Sequence, residues 1–145
     1  MDGSTGGSRA QNADLCAIVL DDSETDRYLL MRMCRGVGLR MEEAEDLEDL
    51  RRLLNAGPRD IVFVDHLLGQ ATGLDALDML TRVPGHRAMV KILLTGMRDP
   101  AVLAAAYDHG ATECIDKSNM DRATLQRIID LRRAIGAPAT GPGAL

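Results

Sequence analysis

Two short apolar runs, each ending at a carboxylate, restrict this chain more than any other feature of its sequence. Leu15-Cys-Ala-Ile-Val-Leu20 shows no polar alternation and stops at Asp21-Asp22, and Asp60-Ile-Val-Phe-Val-Asp65 repeats the plan with a β-branched centre. A strand with one face in water alternates, so an unbroken apolar run calls for a strand covered on both faces, as in a parallel sheet between helices. Val90-Lys-Ile-Leu-Leu94, leading to Thr95-Gly96, and Ala111-Thr-Glu-Cys-Ile115, leading to Asp116-Lys117, read the same way, and a weaker strand fits Leu39-Arg-Met-Glu-Glu-Ala44.

Helical spacing fills the gaps between these runs. Tyr28, Leu29, Met31, Arg32 and Met33 fall in a first helix that stops near Gly36; Asp46 caps a second, striped by Leu47, Leu50, Leu53 and Leu54 and ended by Gly57-Pro58. Leu74, Leu77 and Leu80 mark a third, before Pro84-Gly85. Pro100 opens a fourth, with Leu103, Ala106 and Tyr107 expected inward and Gly110 as its stop. Leu125, Ile128, Ile129 and Arg132 mark a fifth, for which Ser118-Asn-Met-Asp121 reads as a capping box. Strand and helix alternate five times, which predicts an α/β fold: a doubly wound five-stranded parallel sheet with five helices on its two faces and right-handed crossovers.

The domain is expected over residues 15–135, because Met1-Asp-Gly-Ser-Thr-Gly-Gly-Ser8 and Gly136 to Leu145 are rich in residues that resist packing, and residues 1–14 and 136–145 read as flexible tails. With no Trp, two Tyr and one Phe, the chain lacks the flat π surfaces of base-stacking platforms and aromatic cages, and its core has to be aliphatic. The net charge of -5 repels polyphosphate, so nucleic acid is not an expected partner. Three cysteines, Cys16, Cys34 and Cys114, with no CxxC pair, point to neither a disulfide framework nor a zinc site and fit a reducing, cytoplasmic setting. No apolar run reaches the length of a membrane span. The acidic run from Glu42 to Asp49 reads as a solvated loop and the negative first turn of the second helix, and His66, His86 and His109 read as loop or helix-end residues, His66 as an exposed one.

In sheets of this type function gathers at the carboxyl ends of the strands, where Asp21, Asp22, Asp65, Thr95 and Lys117 arrive. Three carboxylates in a small volume cannot all stay ionised without a cation, and a hard divalent ion such as Mg²⁺ accepts carboxylates while leaving positions for phosphate oxygens. Lys117 adds a positive charge from another strand, and the Thr95 hydroxyl is a donor for a phosphoryl oxygen.

Asp21-Asp22, Asp65, Thr95-Gly96 and Lys117, in this order after successive strands, resemble the receiver domain of bacterial two-component response regulators, with its flavodoxin-like fold. The resemblance runs from Leu15 to about Ile135 and includes Gly73 and Gly110-Ala111; Thr95 and Lys117 follow Asp65 by thirty and fifty-two positions, which suits that family. It implies that Asp65 is the phosphoacceptor, taking a phosphoryl group from a histidine kinase or a histidine phosphotransfer protein. It further implies Mg²⁺ held by Asp22, Asp65 and the Leu67 carbonyl with help from Asp21, Lys117 paired with Asp65, and Thr95 moving toward the phosphoryl oxygen. Output is then expected through a protein target on the face of helix four, strand five and helix five, or through a second copy of the chain. Ten residues after the last helix leave no space for an effector, so a single-domain, chemotaxis-type regulator is expected, the alternative being a receiver cut from a hybrid kinase or larger regulator.

Three positions depart from the family pattern. Cys114 stands where an aromatic usually reports the threonine's movement, leaving Tyr107 on the neighbouring helix as a candidate participant. Ser118 replaces the proline that usually follows the lysine, and a cis bond there would cost about 3 kcal/mol, so a trans loop or strain is expected. The loop His66-Leu-Leu-Gly-Gln-Ala-Thr-Gly73 lacks the common proline. Two rival functions follow: a pseudo-receiver that binds partners without phosphorylation, and a haloacid dehalogenase-type phosphatase. The latter needs a second acid two residues after its nucleophile, where this chain has Leu67.

Overall fold

In the computed structural model, which describes residues 12–96 and 99–136, the buried apolar runs form one parallel sheet. Its strands are β1 (Cys16–Leu20), β2 (Arg40–Ala44), β3 (Ile61–Asp65), β4 (Val90–Thr95) and β5 (Glu113–Asp116), in the order β2-β1-β3-β4-β5 with every pair parallel. Five helices connect and cover them: α1 (Glu24–Gly36), α2 (Leu47–Leu54), α3 (Gly73–Leu80), α4 (Pro100–Asp108) and α5 (Arg122–Ile135). The doubly wound, flavodoxin-like expectation is met, and the weak second strand, where Arg40 and Glu43 are exposed, is an edge of the sheet.

Why the central runs are unbroken is visible in the two cores. Ala17 and Val19 of β1, with Phe63 and Ile92, pack under α1 and α5 against Leu30, Cys34, Leu125, Ile128 and Ile129. The intervening Ile18 and Leu20, with Val62, Val64 and Leu93, pack on the opposite face against Leu50, Leu54, Leu77, Leu80 and Ala106. Each of these β1 and β3 residues therefore meets a helix layer whichever way its side chain points. Lys91, the charged interruption in β4, is also buried, and its Nζ donates to the main-chain carbonyls of His86 and Met89 at 2.6 and 3.1 Å. Burial lowers the pKa of that amine.

The helix starts follow their capping residues. Asp46, Asp99 and Asp121 accept from the backbone N–H of Asp49, Ala101 and Thr124 at 2.8–2.9 Å, and Ser23 caps α1 by accepting from Asp26. Three sequence expectations need correction. The start of α5 is capped by Asp121 alone, because Ser118 belongs to a 3₁₀ turn over Lys117–Asn119 where its amide and hydroxyl both donate to Asp116. Tyr107 is half exposed rather than inward, because α4 lies over the sheet edge and buries Ala106 as its contact point. His66 is buried, not exposed, and its Nδ1 has no partner among the described residues. The loop after Asp65 also contains a short hairpin, Leu67–Leu68 pairing antiparallel with Ala71–Thr72, which no alternation in the sequence announces.

The expected tails fall mostly on residues 1–11 and 137–145, outside the described residues; within the described part, Asn12 is buried and its side-chain amide donates to the Val37 carbonyl at 2.6 Å. Among the described residues, no helix is long and apolar enough to cross a membrane.

Candidate functional site

Strand register builds the site. Leu20 pairs with Val64, Asp65 with Leu94, and Thr95 with Asp116, so Asp21, Asp65, Thr95 and Lys117 step along one edge of the sheet. The strand order reverses between β1 and β3, which opens a crevice at their carboxyl ends. Asp21, Asp22 and Asp65 each bring an oxygen into that crevice, all within 4.8 Å of one another, with Asp21 and Asp65 buried and Asp22 exposed.

Asp21 and the backbone of Asp65 are held by their surroundings. Asp21 Oδ1 accepts from the Ser23 amide at 2.9 Å, and its main-chain carbonyl accepts from the Arg27 guanidinium at 2.7 Å. Behind Asp65, the chain crosses so closely that a Cβ at Gly73 would lie 2.8 Å from the Asp65 carbonyl oxygen and 2.5 Å from Leu93, a distance only glycine tolerates. Gly69, with φ of 71°, carries the loop over Asp22.

Lys117 closes the site from β5. Its Nζ lies 3.1 Å from Asp65 Oδ1, 3.2 Å from Asp21 Oδ2 and 2.9 Å from Asp26 Oδ2. Burial opposes its charge, but the bonds to Asp26 and Asp65 and the nearby Asp21 outweigh it and hold the ammonium above its ordinary range. The Asp65 carboxyl is pushed above the ordinary 3.8 by burial and by the charge of Asp21, with Lys117 pulling the other way. These are the conditions under which a divalent cation is favoured, and a donor set of oxygen atoms alone fits a hard ion such as Mg²⁺.

Every residue expected at the strand ends from sequence reaches this edge, and Thr95 is buried there. Asp26 escapes a reading of the sequence: it stands in the first turn of α1, four positions after Asp22, and nothing local distinguishes it from a favourable acid at a helix N-terminus. At the departures, the Lys117–Ser118 bond is trans, and the Asp116 carboxylate supports the turn that follows. Cys114 is half-buried, with burial pushing its thiol pKa up, and its backbone amide donates to the Tyr107 hydroxyl at 3.2 Å.

A doubly wound parallel sheet with an acid cluster at its switch point, a buried threonine beside it and a lysine facing it can hold a cation and an anionic group side by side. The chain belongs to the response regulator receiver domain family, whose model matches residues 17–130. A receiver domain protein (CheY-like) from Methanospirillum hungatei JF-1 has the same fold, with a TM-score of 0.75, 17% identity, and coverage of 83% of this chain and 95% of that one. The signal receiver domain of a histidine kinase from Syntrophus aciditrophicus superposes with a TM-score of 0.74 at 22% identity, over 84% of this chain and 92% of that one. In sequence, the chain is 27% identical over 131 residues to the cyclic di-GMP phosphodiesterase response regulator RpfG of Xanthomonas campestris pv. campestris (strain 8004). That match takes in 88% of this chain and about a third, 35%, of the relative's length.

Proposed function

We propose that the chain is a response regulator receiver that accepts a phosphoryl group on Asp65 from a histidine kinase or a histidine phosphotransfer protein, and passes the signal on by protein contact. The observation that carries this reading is the ion pair between Lys117 and a buried Asp65, beside two further carboxylates, at the crevice of the sheet.

In this reading Asp22, Asp65 and the Leu67 carbonyl hold Mg²⁺, with Asp21 completing the set. When bound, the ion neutralises the carboxylates and offers coordination positions to phosphoryl oxygens. An Asp65 carboxylate oxygen forms the new bond to phosphorus as the bond from phosphorus to the donor's leaving atom breaks, and the leaving atom keeps that electron pair. Lys117 and the Thr95 hydroxyl donate to the phosphoryl oxygens as charge develops on them. The new acyl phosphate adds charge and acceptor oxygens to a packed sheet edge, the kind of local change that a bistable element converts into altered surface. Thr95 on β4 and the α4–β5–α5 face are the proposed path and output. The protein is in this sense a phosphoacceptor that catalyses only its own modification, working in the cytoplasm.

Incubation with acetyl phosphate and Mg²⁺, followed by intact-mass measurement, tests the reading. The wild-type chain is expected to gain one phosphoryl group and Asp65→Asn none. No gain in the wild type would point to the pseudo-receiver, and repeated turnover of donor that needs Asp65 would point to a phosphatase.

A further inference from the structure

Asp26 has no place in the reading above, yet it makes the shortest contact to Lys117 of the three acids around it. We infer that Asp26 is a positioning residue that engages the Lys117 ammonium in the resting protein and so restrains the rate at which Asp65 takes a phosphoryl group. The inference rests on the proposal that Asp65 is the acceptor.

A count of donors supports it. An ammonium has three N–H donors and no acceptor, and Lys117 Nζ faces three carboxylates, Asp26 at 2.9 Å, Asp65 at 3.1 Å and Asp21 at 3.2 Å. A phosphoryl oxygen arriving at Asp65 therefore finds all three donors engaged, and one bond has to open. Asp21 and Asp65 are fixed at strand ends, with side chains 5% and 10% exposed, and Asp21 is further tied to the Ser23 amide. Asp26 comes from a helix, its side chain is 49% exposed, and water can replace Lys117 there. The bond to Asp26 is thus the one that yields, and until it does the ammonium is drawn toward the mouth of the site, away from the oxygens on which charge develops. Lys117, Asp21 and Asp26 line a groove with Leu29, Met33 and Met120, so the contest for Lys117 takes place on the open side of the site.

The reaction concerned is transfer from acetyl phosphate: an Asp65 oxygen bonds to phosphorus, the bond from phosphorus to the bridging oxygen breaks, and acetate leaves with the electron pair. The test is the initial rate of labelling by radiolabelled acetyl phosphate with Mg²⁺, in wild type, Asp26→Ala, Asp26→Asn and Asp26→Glu. Asp26→Ala is expected to react about threefold to tenfold faster than wild type, the scale of one charge-assisted hydrogen bond no longer competing. Asp26→Asn, which keeps a weaker neutral acceptor, falls between them, and Asp26→Glu returns to the wild-type rate. The gain should persist in about 0.5 M KCl, where general repulsion of an anionic donor is screened. A rate for Asp26→Ala equal to or below wild type overturns the inference, as does an acceleration that disappears in salt. If the wild type is not labelled at all, the assignment of Asp65 falls and this inference with it; labelled wild type with an unchanged Asp26→Ala removes this inference alone.

Discussion

Cys34 shows how strongly one side chain can be set by where it lies. It is fully buried on α1 against β1 and β3, and burial pushes its thiol up to about 12 from the ordinary 9.0. The sign follows from linkage: the unfolded thiol ionises near 9 and the folded one does not, so stability is unaffected below that pH and falls as pH climbs toward 12. Between pH 8 and 10.5 this residue should cost the folded state about 2 kcal/mol. Urea unfolding of wild type and Cys34→Ala at the two pH values checks this, the expected result being a shallower pH dependence in the variant. The same thiol should resist alkylation at pH 8 until the protein unfolds, because the thiolate is the reactive form. Gly73 is the opposite case, a residue set by having no side chain, since the chain passes directly behind Asp65.

Among the secondary-structure elements, α4 stands apart from its neighbours. Its sequence, Pro-Ala-Val-Leu-Ala-Ala-Ala-Tyr-Asp, is apolar on nearly every side, yet Ala106 is its one fully buried residue. A helix with so small a contact depends on specific ties to the sheet and its neighbours, and two are present: His109 at its end pairs with Asp78 of α3 at 2.6 Å, and the Tyr107 hydroxyl accepts the Cys114 amide of edge strand β5. The second tie brings a ring to the strand position where the family usually has its own aromatic. Tyr107→Phe keeps the ring and removes the acceptor. Because the site is partly exposed, water takes over the amide and the expected loss of stability is no more than about 1 kcal/mol. The Cys114 amide should nevertheless exchange with solvent faster in the variant, as measured by hydrogen exchange, while the amides of α1 are unchanged.

Over the whole molecule, the order of the strands sets both stability and the place of the site. β3 lies between β1 and β4, is buried along its whole length and contributes to both core layers, whereas β2 and β5 each have one neighbour in the sheet. Local opening should therefore follow the sheet outward, with hydrogen exchange slowest at Val62, Phe63 and Val64 of β3 and fastest among the strands in β2 and β5. Equal protection across all five strands would contradict this ordering. Both faces of the core are aliphatic, as the scarcity of rings in the sequence requires: Phe63 is the single large ring at the centre, and Leu, Ile and Val fill most of the remainder.

What can be read from the chain before it folds depends on the range of the interaction. The strands, their parallel arrangement and the residues at their ends are legible locally, because a strand covered on both faces leaves an unbroken apolar run and must stop at a polar residue where it emerges. Asp21, Asp22, Asp65, Thr95 and Lys117 are all recoverable for that reason. At α5 the local pattern points to Ser118 and the 3₁₀ turn over Lys117–Asn119 moves the cap to Asp121, whereas the helix cap at Asp46 is readable, since a cap acts within three residues. The pairing of Lys117 with Asp26, the burial of His66, the outward turn of Tyr107 and the approach of Gly73 to Asp65 are not. Each depends on how a helix or loop settles on the sheet after the crossover is made, and residues brought together over such distances leave no periodic trace in either segment. Local pattern thus dictates which chemical groups reach the edge of the sheet, whereas the share of the Lys117 charge taken by Asp26 is decided by the packing of α1 on β1 and β2, which brings that acid to a lysine some ninety residues away.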